Sequence, residues 1–169
     1  MNPIMPGRQT ASIEGPFVVF IIGVRINKWL AIRQWFPVLQ AMGPMLKELY
    51  ENRELGFLDG ASFISGRGVS IVQYWRSYDQ LEHYAHGAKH LSAWQNFNRK
   101  SRAGEAVGIY HETYLVENGA YESIYVNMPA TGLGRAGELR PIGAGRETSR
   151  ERTNLGHDHE MKHAQDSLK

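Results

Sequence analysis

The residues best equipped for chemistry lie in one stretch, residues 107–129, with the sequence VGIYHETYLVENGAYESIYVNMP. It carries His111, Glu112, Thr113 and Tyr114, then Tyr121, Glu122, Tyr125 and Asn127. An imidazole titrates near neutral pH, so His111 can act as a general base. Arg76, in QYWRS, brings a permanent cation on a rigid fork, suited to an anionic or developing enolate oxygen. Its other role is to neutralise Glu112 or Glu122 across a sheet. Base, cation and apolar wall together suit proton abstraction beside a carbonyl, with His111, Arg76 and Glu112 as the reacting set. Tyr74, Trp75, Trp94, Tyr114, Tyr125 and Asn127 would shape the cavity. His90 precedes Trp94 and Phe97 by four and seven positions and shares their face, as a core histidine or as a site residue. A non-catalytic reading stays open, in which the His, Glu and Arg groups form a buried network around a small bound ligand, since structural ion-pair networks share this composition.

These residues need strands to fix them. Two runs rich in Tyr, Val, Ile and Thr flank Asn118-Gly119, a strong turn signal, so the stretch reads as a β-hairpin. Alternation puts Ile109, His111, Thr113 and Leu115 on one face and Tyr110, Glu112, Tyr114 and Val116 on the other. Upstream, residues 16–27 (PFVVFIIGVRIN) are short and β-branched, as in a strand covered on both faces. A helical stripe follows, with Asn27 as its cap and breaks expected at Pro37 and Pro44. Residues 57–65 and 69–76 read as a hairpin around Gly66-Arg67-Gly68. Ser77 to Gln80 fits a capping box, opening a helix to about His86, and residues 89–103 read as another helix.

The order strand, helix, strand, strand, helix, strand, strand predicts an α+β fold, ferredoxin-like βαββαβ with an extra strand. Helices cover one face of such a sheet; a second copy of the chain is expected on the other, giving a homodimer. Residues 1–15 read as a flexible arm, 16–133 as the domain, and 134–169, which lack aromatic residues, as a flexible polar tail.

The 169 residues are 42% hydrophobic and 21% charged, with no cysteine, which excludes disulfides and thiolate chemistry. A net charge of +2 argues for neither nucleic acid nor membrane lipid as partner. No apolar run is long enough to span a bilayer, and the start of the chain does not read as a signal peptide. A cytoplasmic protein acting on a small molecule is therefore expected. Phosphate-loop, serine-hydrolase and zincin motifs are missing. His157, His159 and His163 have metal-compatible spacing but sit in the polar tail, and His83 and His86 read as solvated helix residues, so no metal site is expected.

The blocks QYWRSYDQLEHYA, His90-x-x-x-Trp94-x-x-Phe97, VGIYHETY, YESIYVNMP and GLG, in this order, resemble the fumagillin-pathway monooxygenase-like family over residues 23–134. That family is similar to the antibiotic-biosynthesis monooxygenases. The resemblance implies a dimeric α+β barrel and oxygenation of an organic molecule without flavin or metal. The wider superfamily includes haem-degrading enzymes and aldoxime dehydratases, so it equally allows haem, with His111 or His90 as the iron ligand and Arg76 at a propionate.

Overall fold

In a computed structural model, residues 3–87 and 105–153 are described. They fall into two compact units: Val18–Leu115, and the described residues up to Phe17 together with those from Val116 on.

The first unit holds a four-stranded sheet, β2 (Phe17–Ile26), β3 (Phe57–Ser65), β4 (Gly68–Trp75) and β5 (Val107–Val116), in the order β3-β4-β2-β5. Between the strands run α1 (Ile32–Glu51) and α2 (Tyr78–Ala85). With β2, α1, β3, β4, α2, β5 in chain order, this is the ferredoxin-like arrangement expected. β2 and β3 are both antiparallel to the central β4. Register puts Val18, Phe20, Ile22 and Val24 of β2 on one face with Val69, Ile71, Gln73 and Trp75 of β4. Val18 and Trp75 meet Leu49 of α1, Leu81 of α2 and Phe57 in the buried core, so this is the helix face. Trp75 is 0% exposed, stacked edge-on to Phe57 and tilted against Tyr84. Burial, and then the Glu48 carboxylate, push the Tyr84 hydroxyl up to about 12, so it keeps its proton near neutrality and donates to the Met45 carbonyl.

Two local expectations change. α1 starts at Ile32 after Ala31, not at an Asn27 cap, and passes through Pro37 and Pro44 unbroken. Each proline frees the carbonyl four residues earlier, and here these belong to the exposed Arg33 and Gln40, where water can satisfy them. Ser77 does cap α2, accepting from the Gln80 N–H.

The second unit holds β1 (Met5–Ser12), β6 (Tyr125–Met128) and β7 (Glu138–Pro141), ordered β6-β1-β7 and antiparallel. Residues 5–12, expected as an arm, are thus its central strand, and residues 138–141, expected in the tail, are an edge. Both are short and polar, and their strand state comes from partners over 100 positions away, which periodicity does not register. The hairpin also changes. The turn at Gly119 forms, with the Ala120 N–H on the Glu117 carbonyl, but β6 pairs with β1 and not with β5. Residues leading to β6 are claimed by the first strand. The Ser123 hydroxyl accepts from the Ala11 N–H, its carbonyl accepts from Thr10 Oγ1, and Tyr121 Oη accepts from the Ile13 N–H.

The chain is pinned as far as Arg152. Its guanidinium, 6% exposed, holds Glu122 and donates to the carbonyls of Arg146 and Glu147. Thr148 and Glu151 close a capping box around the one-turn helix Ser149–Arg152. Arg152→Ala strands a partly buried carboxylate and is expected to cost about 2 kcal/mol, below the 3–5 typical of a fully buried pair because Glu122 still meets water. Urea unfolding of the full chain measures this.

Candidate functional site

β5 is an edge strand with both faces displayed. Its His111 ring lies 5.7 Å from the Phe20 ring, centroid to centroid, which places His111 on the helix face. Tyr110 lies on the opposite face, where its hydroxyl shares a 2.8 Å hydrogen bond with Ser70. Its ring fills the space a Cβ at Gly23 would take, 2.2 Å from the nearest ring carbon. A glycine inside a β-branched run was the available signal for this close approach.

The helix face also bears an apolar recess of about 170 Å³, lined by Leu39, Met42, Gly43 and Leu46 of α1 and by Ser62, Val69 and Ile71 of the sheet. The helical Met and Leu stripe is therefore core at Leu49 and recess wall toward the helix start. Ile71 pairs with Ile22, two residues from Phe20 on β2, and Phe20 leads on to His111. His111 thus shares an apolar floor with the recess, about 10 Å away across two strand spacings.

The other expected site residues divide. Glu112 and Tyr114 are exposed on the Tyr110 face, joined by a 2.7 Å bond from Tyr114 Oη to the carboxylate. That bond, more than the Glu112 charge, holds the Tyr114 pKa above its ordinary 10.0. Tyr114 therefore keeps its proton to a higher pH folded than unfolded, an interaction present below pH 10 and lost as pH rises through the folded value. In Glu112→Gln the phenolate absorbance of Tyr114 is expected to titrate nearer 10.0.

Tyr74 pairs with Val19, on the same face as Glu112. Arg76 is exposed just beyond β4, its N–H on the Gly56 carbonyl. It follows the strand end, three residues past Gln73, the partner of Phe20, or about 10 Å along the strand direction. The sheet therefore separates Glu112 from His111, because adjacent positions on β5 point to opposite faces, and Arg76 lies beyond the strand end. Trp75, expected on a cavity wall, is enclosed in the core, its Nε1–H donating to Gln73 Oε1 at 2.9 Å. Tyr125 and Asn127 belong to the β1 unit. Tyr125 Oη accepts from the Gly134 N–H, and Asn127 Oδ1 accepts from the Gly7 N–H with its own φ at 52°. His90, Trp94, His157, His159 and His163 lie outside the described residues. His83 and His86 are exposed, and among the described residues no group of three His, Asp or Glu could hold a metal ion.

The chain is similar to monooxygenase af470 of Aspergillus fumigatus, 28% identical over 162 residues, covering 83% of this chain and 57% of that protein. The chain thus spans little more than half of that relative. Two solved structures share the fold. One is an aldoxime dehydratase, with a TM-score of 0.65 and 19% identity over 85% of this chain and 44% of that one. The other is an aldoxime dehydratase in complex with butyraldoxime, with a TM-score of 0.63 and 18% identity over 76% and 39%. The sequence model described as monooxygenase af470-like matches residues 17–133, most of the chain and nearly all of the region whose motifs carry the resemblance, so the chain belongs to the monooxygenase af470-like family.

Proposed function

We propose that the chain is a small monooxygenase-like enzyme that oxidises an apolar, enolisable organic molecule, with His111 as its base. The observation that supports this is His111 on the same apolar floor as the α1 recess. His111 accepts a proton from carbon beside a substrate carbonyl, and the resulting enolate gives its electrons to dioxygen. One oxygen atom enters the substrate, converting CH2 to C=O, and the other leaves as water, so no external reductant is consumed. Thr113, two residues along the same face, offers a hydroxyl to the substrate oxygen. Arg76, beyond the end of β4, and Glu112, across the sheet, act in this proposal on substrate parts or subunit contacts away from the proton transfer.

The likeness in fold to aldoxime dehydratases motivates a haem reading, with His111 or His90 on the iron. The described recess carries in its lining neither an imidazole for the iron nor a cation for a propionate. Among the described residues the fit to haem is therefore poor, and no step is drawn through it. Spectroscopy of the purified protein tests both readings: a Soret band selects haem, whereas oxygen uptake by colourless protein with a panel of enolisable ketones supports the base mechanism. No uptake with any compound, including one found co-purifying by native mass spectrometry, favours the non-catalytic ligand-binding reading.

A homodimer is proposed through the sheet face opposite the helices. Val19, Ile21 and Val72 stand there half-buried beside the exposed Phe63, Tyr110 and Tyr114. Light scattering at micromolar concentration is expected to give twice the chain mass; a monomer counts against it.

A further inference from the structure

One end of the four-stranded unit exposes aliphatic side chains almost completely. Leu30, in the loop from β2 to α1, is 98% exposed, and Ile64, near the tip of the β3–β4 hairpin, is 89% exposed. Trp29 and Ile32 add two further exposed apolar groups beside Leu30. The two tips are one surface. The Arg67 carbonyl of the hairpin accepts from the Ile26 N–H, Arg67 Nη2 donates to the Asn27 carbonyl at 2.7 Å, and the guanidinium stands 5.8 Å from the centre of the Trp29 ring. Bare aliphatic groups on protruding tips are costly in water and ordinarily mark a contact surface.

Among the described residues the charge around them is mainly positive, with Glu105, next to the Ala106 carbonyl that accepts from the Asn27 and Lys28 N–H groups, as the acidic neighbour. Arg25, Lys28, Arg33 and Arg67 fall in segments 24–36 and 61–70, which contain no Asp or Glu. Arg25 and Arg67 line a recess of about 310 Å³ with Ser70 and Tyr110. Arg67 spends one N–H group on Asn27 and keeps others for an anion.

We infer that this end of the molecule docks on an anionic lipid bilayer. Leu30, Ile64 and Trp29 enter the boundary between headgroups and acyl chains, while the cations meet headgroup phosphates, as interfacial anchors do. A polyanion such as nucleic acid would match the cations but leave the aliphatic tips in water. Docking also has a use. Val69, paired with Ile64, lines the apolar recess on the helix face, so a lipophilic molecule would pass from the bilayer to the recess along apolar surface.

The test is flotation of the full chain with vesicles of phosphatidylcholine alone and of phosphatidylcholine mixed with phosphatidylserine. The protein is expected to float with the mixed vesicles, less so as salt rises. Leu30→Asp with Ile64→Asp is expected to lose at least tenfold in partitioning with an unchanged thermal midpoint, since both side chains are exposed. Arg25→Gln with Lys28→Gln is expected to lose most of the preference for phosphatidylserine. Protein that floats with neither vesicle, or aspartate variants that float like the parent, overturn the inference. If the aspartate pair unfolds, the glutamine pair decides alone: unchanged phosphatidylserine preference overturns docking, and its loss supports it. Oxygen uptake with a water-dispersed ketone is read separately, so failure of docking is distinct from failure of the proposed reaction.

Discussion

His111→Ala is expected to lower turnover by about 10²- to 10⁴-fold, the usual contribution of a positioned general base. Stability should fall by about 1 kcal/mol or less. The side chain is exposed, and its ring lies 5.7 Å from the Phe20 ring, a ring pair typically worth about 0.5–1.5 kcal/mol when well packed. The separation of the two effects is the diagnostic. β5 holds its own register through backbone pairing to β2, so removing an outward imidazole leaves the strand in place. Oxygen uptake and thermal melting on the same preparation measure both. A variant that keeps full turnover, or one that unfolds, makes His111 structural and favours the ligand-binding reading. Thr113→Val is the companion variant: it keeps the base and should raise KM more than it lowers kcat, because it removes a binding hydroxyl and no proton carrier.

Trp75→Ala is expected to destabilise the four-stranded unit by about 3–5 kcal/mol, as for other large-to-small aromatic deletions in a core. Its ring is wholly enclosed and joins Phe57 to Tyr84. Truncation leaves a cavity where β4 meets both helices and orphans Gln73 Oε1, which accepts the indole N–H. Chemical denaturation followed by circular dichroism measures the cost. Trp75→Phe should retain more than half of the lost stability by refilling volume while still abandoning the hydrogen bond. If Trp75→Ala instead folds normally and changes only substrate affinity, the residue belongs to a cavity wall and the core assignment is wrong.

The sequence by itself determined the strands of the central unit and the short helix after β4, but not the start or the continuity of α1. The β-branched run at β2, the bounds of β3, the glycine turn and the Ser77 cap all follow from short-range rules, because each depends on residues within a few positions. The alternation of β5 likewise placed His111 and Tyr110 on opposite faces before any contact was known. Long-range pairing was beyond its reach. Whether residues 125–128 would return along β5 or join β1 was decided by Tyr121 and Ser123 bonding to residues 10–13, more than 100 positions away. That same competition turned an apparent arm into a central strand. Register decided the site as well. Glu112 and His111 look compatible in a list of residue types, but adjacent positions on β5 face opposite sides of the sheet, and Arg76 falls beyond the end of β4. Charge followed the same logic. A net +2 is nearly neutral over the chain, and folding joins the segment that holds Arg25, Lys28, Leu30 and Arg33 to the hairpin that holds Ile64 and Arg67, because Coulomb and apolar forces act between neighbours in space.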